Sequence, residues 1–78
     1  MKPGQPFAVI LVPSMGHALL VERVLRQAGM VCKLIPVPRQ VSSDCGVCVR
    51  IVPADKNKAT SVCSGTGIEI DGIHDLNA

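Results

Sequence analysis

Aromatic residues are almost absent from this 78-residue sequence: Phe7 stands alone, and there is no Trp or Tyr. Single-stranded nucleic acid is usually held by stacking bases on aromatic rings, so a stacking platform is excluded. Charge of one sign is scarce too. Eight basic and six acidic residues give a formal charge of +2, and the basic residues are scattered singly rather than gathered into a phosphate-binding patch. No nucleic-acid partner is expected. Long apolar runs are missing as well. The run from Phe7 to Val12 falls far short of the ~20 apolar residues of a membrane span, so no membrane association is expected either. The segment MKPGQPFAVILVPS lacks the longer apolar region and small-residue cleavage site of a secretory signal. A cytoplasmic location is the expectation, and there four cysteines read as free, catalytic or metal-binding rather than as a disulfide framework.

Other motifs are incomplete. The single C-x-x-C, Cys45 and Cys48, supplies two ligands where a closed zinc site needs four, and His17 and His74 join only if the fold brings them in. A thioredoxin-type C-x-x-C opens a helix, whereas this one runs into a strand. The CSGTG at 63–67 has neither the length nor the Lys of a phosphate-binding P-loop. No G-x-S-x-G is present.

What is present is 47% apolar content, almost all Val, Ile, Leu and Ala. That suffices for one packed domain over residues 1–78, with 1–6 as a flexible leading segment. A chain this short buries only ~60% of its unfolded surface, so its stability is marginal. Phe7 to Val12 has the length and β-branching of a central strand. Pro13-Ser14 stops it, and Ser14 is an N-cap for a helix from Met15 to Ala28. Ala18, Val21, Leu25 and Ala28 form its apolar stripe, widened by Leu20 and Val24, and Gly29 is its stop. Val31 to Ile35 is a second strand, with Cys32 and Leu34 on one face. A polar connection, Val37 to Cys45, leads to a third strand, Gly46 to Val52, where Val47, Val49 and Ile51 face one way and Cys48 and Arg50 the other. Connections longer than a turn requires are where function concentrates. Asp55 is placed to cap a weaker second helix with Ala59, Val62 and Cys63 on its buried side. Gly65 and Gly67 end that helix, and Ile68-Glu69-Ile70 alternates as a last strand. The order β-α-β-β-α-β predicts an α+β, ferredoxin-like sandwich: an antiparallel sheet with two helices on one face.

This topology brings the end of the first strand, the start of the first helix and the second-to-third-strand connection to one sheet edge. Cys45 is therefore expected beside Ser14, Met15, Gly16 and His17. A helix N-terminus offers unpaired N–H groups and a partial positive charge, which lower a thiol's pKa and can hold a persulfide or selenide. Gly46 leaves approach to Cys45 open, and His17 is placed to donate a proton. Arg39 and Arg50 are candidates to steer an anionic partner. Cys32 and Cys63 read as core residues.

The segment VPSMGHALLVERVLRQAGMVCKLIPVPRQVSSDCGVCVRI resembles the family described as selenium/sulfur carrier-like proteins. The likeness lies in a strand ending in Ser, His-Ala-Leu opening a helix, the LIPVPR strand end and a Ser-Ser-x-Cys-Gly turn feeding a strand. It is strong over residues 7–52 and loose beyond, where DKNKATSVCSGTG replaces a charged, leucine-containing helix. The resemblance implies that Cys45 carries sulfur or selenium, and that His17, Arg39, Ser43 and Gly46 occupy motif positions. The expected function is a carrier: Cys45 accepts a persulfide- or selenide-type atom from a donor protein and delivers it to an acceptor enzyme, with Cys48 as a resolving thiol. It acts stoichiometrically rather than as an enzyme and needs no cofactor. The helix-free face, with Cys48 and Arg50, is a docking or homodimer surface. The alternatives are a copper or zinc module held by Cys45 and Cys48, and a regulatory or assembly domain without thiol chemistry.

Overall fold

The fold comes from a computed structural model that describes residues 6–38 and 46–77. The elements are β1 (Pro6–Leu11), α1 (Met15–Gln27), β2 (Cys32–Pro36), β3 (Val47–Ile51), α2 (Lys56–Thr66) and β4 (Gly72–Asn77), with a 3₁₀ turn, Pro53–Asp55, before α2. The four strands form one antiparallel sheet in the order β2-β3-β1-β4. Both helices pack on the same face, so the ferredoxin-like α+β arrangement expected from the element order is the arrangement found. β1 begins at Pro6, inside the segment expected to be loose; the rest of that segment lies outside the described residues.

The apolar run of β1 is explained by its position between β3 and β4. Ala8 and Ile10 point toward the helices, while Phe7 and Val9 point to the other face, and all four are buried. Ala18, Val21 and Leu25 of α1 and Ala59 and Cys63 of α2 close the main core over Val49, Ile51 and Cys32. At about 25 cal/mol per Å² of apolar area, these side chains supply most of the burial free energy available to so small a domain.

The helices end alike. After α1, Gly29 takes φ +82°, its N–H bonds to Arg26 O and the N–H of Met30 reaches Leu25 O at 3.0 Å. After α2, Gly67 takes φ +74°, with Gly67 N–H on Ser64 O and Ile68 N–H on Cys63 O. Both are Schellman closures, in which the left-handed residue is almost always glycine. Gly65, expected to share the stop at α2, lies inside the helix instead.

Two expectations are corrected. Asp55 makes no side-chain cap; the 3₁₀ turn, with Asp55 N–H on Val52 O at 2.9 Å, leads the chain into α2 instead. The last strand is Gly72–Asn77, not Ile68–Ile70. Ile68 and Ile70 pack against the core from a connection, and pairing with β1 starts only where Asp71 N–H meets Leu11 O at 2.7 Å. Two isoleucines alternating with Glu69 give a strand-like pattern, but their burial comes from the side of the helices rather than from a ladder.

Candidate functional site

Ser14 leaves β1 in an extended conformation (φ −155°, ψ 166°) and caps α1 as expected. Its Oγ accepts the His17 amide N–H at 3.3 Å and lies 2.7 Å from His17 Nδ1. The hydroxyl and Nδ1 thus share a hydrogen bond whose direction follows the tautomer of the ring. This cap is worth about 1 kcal/mol to the helix. The N–H groups of Met15 and Gly16 have no partner within the helix, the ordinary condition of a first turn and the source of its affinity for anions.

Beside this turn runs an apolar groove of about 310 Å³ lined by Met15, Leu34, Ile35, Pro36, Gly46 and Val47. Met15 is half exposed on its rim. The groove thus joins the start of α1 to Gly46, the residue after Cys45. The base of the β2–β3 connection is closed by Val37 N–H on Gly46 O at 3.0 Å. Both anchors of that connection therefore stand at the sheet edge where topology was expected to bring them. Cys45 itself, with Arg39 and Ser43, lies outside the described residues. Gly46 is exposed, and a Cβ there would meet Val37 Cγ2 only at 3.8 Å; a Cβ on Gly16 would meet Ser14 Oγ at 3.7 Å. Both are ordinary contacts, so packing demands glycine at neither position.

Cys32, Cys48 and Cys63 are all free and all buried. Cys32 and Cys63 belong to the main core, as expected. Cys32 donates to Glu22 O at 3.6 Å; burial pushes its thiol up, although the neighbouring Arg26 partly opposes this. Burial alone pushes the Cys63 thiol up. Cys48 lies on the helix-free face, as the alternation of β3 predicts, but with no solvent exposure. It packs with Phe7 and Val9, its Sγ is 4.0 Å from Pro36 O, and burial pushes it up to about 11. A thiol so placed is poorly suited to resolve an adduct, which counts against that expected role. No group of three or more His, Cys, Asp or Glu side chains suited to a metal occurs among the described residues, and no helix among them is long and apolar enough to cross a membrane.

The Cys48 shift has a consequence for stability. Its pKa is higher in the folded chain than the ordinary 9.0, so above pH 9.0 the unfolded chain releases this proton and the native one holds it. Stability conferred by the neutral thiol is full below pH 9.0 and is lost as pH rises toward about 11. Urea titrations from pH 8 upward should show a falling midpoint, and Cys48→Ala should flatten that slope. An unchanged slope in the variant would refute the assignment.

The family model described as "Putative Se/S carrier protein-like" matches residues 7–75. The chain belongs to that family. Comparison with curated proteins and with solved structures finds no match. Membership extends the resemblance past β3 into the half that departs most from the motif pattern, consistent with a second half that keeps the fold while changing its α2 sequence. One feature of the site leaves no local signal in the sequence: Met15 as the rim of a groove requires knowing that β2 ends beside the start of α1.

Proposed function

We propose that this chain is a sulfur or selenium carrier in which the Cys45 thiolate takes the terminal atom of a donor protein's persulfide, or its selenium counterpart, and passes it to an acceptor enzyme. One observation carries this reading: in a member of a Se/S carrier family, the three described thiols are buried with their thiolates disfavoured, leaving Cys45 as the remaining candidate nucleophile.

The chemistry is exchange at sulfur. Cys45–S⁻ attacks the outer atom of donor R–S–SH, the bond joining that atom to R–S breaks, and the persulfide's proton passes to the departing sulfur, so the products are Cys45–S–S⁻ and R–SH. No external oxidant or reductant is consumed. A donor R–S–SeH transfers selenium in the same way. The acceptor's thiolate then attacks the outer atom and returns Cys45 to its thiolate. In this reading the Met15 and Gly16 amides, ordered by the Ser14 cap, stabilise the anionic adduct. Arg39 and Ser43 contribute charge and a hydrogen bond, Gly46 leaves the approach open, and His17 protonates the departing thiolate. The apolar groove beside Gly46 receives the partner's side chains. The acceptor, rather than the buried Cys48, takes the atom off.

Intact masses of the reduced, metal-free protein before and after exposure to a persulfide donor test the reading, with Cys45→Ser and Cys48→Ser alongside. One added sulfur in the native chain and in Cys48→Ser, absent from Cys45→Ser, is the expected result. Absence of any adduct, with copper or zinc retained in native mass spectra only when both thiols are present, would make Cys45 and Cys48 a metal clip instead.

A further inference from the structure

The sheet ends in two strands that each bond a neighbour on one side only, β2 and β4. On β2 the groups left over can be named. Val37 N–H bonds to Gly46 O, and Pro36, which has no N–H, pairs with Val47. Bonded and non-bonded pairs alternate along an antiparallel ladder. Lys33 and Ile35 therefore turn their backbone groups to β3, while Cys32, Leu34 and Pro36 turn theirs outward. At an outward position Pro36 costs the ladder nothing. Among the described residues, no other backbone group meets those of Cys32 and Leu34 on this side.

An apolar shelf overhangs this edge. Glu22 O and the Arg26 side chain lie beside Cys32, and Met15 stands in the groove with Leu34 and Pro36, so α1 runs antiparallel to β2. Met15, Leu19, Glu22 and Arg26 follow one another at helical spacing along that side. Met15 and Leu19 are 55% and 51% exposed, and Val31, just before β2, is 64% exposed. The other edge has no counterpart: among the described residues, none of the exposed large apolar side chains belongs to α2 or β4.

We propose that a second copy of this chain covers the β2 edge, β2 pairing antiparallel with β2 about a two-fold axis at Leu34, so that the two sheets run on as one. An axis normal to the sheet keeps each residue on its own face, so only residues of the same face meet. Centring on Leu34 bonds Leu34 N–H to Leu34 O in both directions, and Cys32 N–H of each copy to Pro36 O of the other. It sets Lys33 opposite Ile35 and Val31 opposite Val37. Centring on Lys33 would oppose like charges, and centring on Ile35 would lose the Leu34 pair. Lysine and proline commonly keep an edge strand unpaired. In this register neither does, because Lys33 meets an apolar neighbour and Pro36 supplies only its carbonyl.

The helices fit the same arrangement. α1 packs over both β2 and β3. With strands about 4.8 Å apart, its axis lies roughly 2.4 Å inside β2. The two α1 helices then stand about 10 Å apart and antiparallel, at helix-packing distance. Met15 and Leu19 of both copies fill the space between them, with Leu19 near the axis, and the opposed helix dipoles lie side by side. The second copy takes the Leu34 and Pro36 wall of the groove and leaves Gly46, on the β3 side, open, so the pairing needs nothing from Cys45.

Sedimentation velocity of the full chain under reducing conditions, from roughly 1 µM to roughly 1 mM, should show a monomer–dimer equilibrium with a dissociation constant on the order of 10 µM. Amide hydrogen exchange at the two ends of that range locates the contact. The Cys32 and Leu34 N–H groups should exchange freely in the monomer and at least about tenfold more slowly in the dimer. Leu19→Arg should raise the dissociation constant at least about tenfold. Leu20→Arg, at a position 49% exposed and turned away from the shelf, should leave it unchanged. A chain that stays monomeric throughout, a dimer that leaves Cys32 and Leu34 unprotected, or equal weakening by both substitutions would overturn the proposal. Should Leu19→Arg fail to fold, the exchange of the native chain decides alone.

Discussion

At neutral pH the native chain is expected to consume one equivalent of iodoacetamide quickly, at Cys45, and Cys45→Ser to lose that fast reaction. The basis is the burial of the other three thiols. Each reacts as its thiolate, which burial disfavours, and only when the structure opens. An opening free energy of ~3 kcal/mol alone slows such a thiol by roughly a hundredfold or more. Cys48, which has no solvent exposure, should be the slowest of the three. Peptide mapping after brief labelling checks the order. Comparable labelling of Cys48 and Cys45 in the folded protein would contradict it and would reopen a resolving or metal-binding role for Cys48.

The second large effect is on stability. Leu25 is fully buried on α1, in the main core that also holds residues of the sheet and of α2. Leu25→Ala removes burial and leaves a cavity, at a cost of about 2–5 kcal/mol. In a domain of this size each 1 kcal/mol shifts the midpoint by roughly 4–8 °C, so melting should fall by tens of degrees. Leu20, on the same helix but 49% exposed, should tolerate the same substitution within about 0.5 kcal/mol. Thermal denaturation followed by circular dichroism compares the two, and equal losses would mean that α1 does not bury the face described.

Much of this architecture could be read from the chain because local and long-range requirements agree. Ser14 has both the hydroxyl that a cap needs and a place between a strand and an amphipathic stripe, and it caps α1. Gly29 follows the last stripe residue, where a left-handed turn is required. The alternation of β3 assigned Val49 and Ile51 to the core and Cys48 to the other face, as found. The failures came where local pattern and tertiary demand part. Ile68 and Ile70 look like a strand because they alternate with Glu69, whereas the sheet needed a partner long enough to pair with all of β1, and Gly72–Asn77 supplies it with only Ile73 and Leu76 as apolar residues. Cys48 was assigned to the correct face but expected to be available there; its burial depends on Phe7, Leu11, Ile35, Val37 and Leu76, which come from four other parts of the chain. The candidate site was legible as an edge: the α1 cap and the two anchors of the β2–β3 connection meet as topology requires.

The central claim is that one thiol carries the transferred atom and a partner's thiol removes it. The most direct measurement is peptide-level mass spectrometry of the reduced protein, first after a persulfide donor and then after a small acceptor thiol. The account predicts one added sulfur on Cys45 after the first step, and after the second its complete loss with Cys48 still reduced. An added sulfur on Cys32, Cys48 or Cys63, or its loss accompanied by a Cys45–Cys48 disulfide, would contradict it.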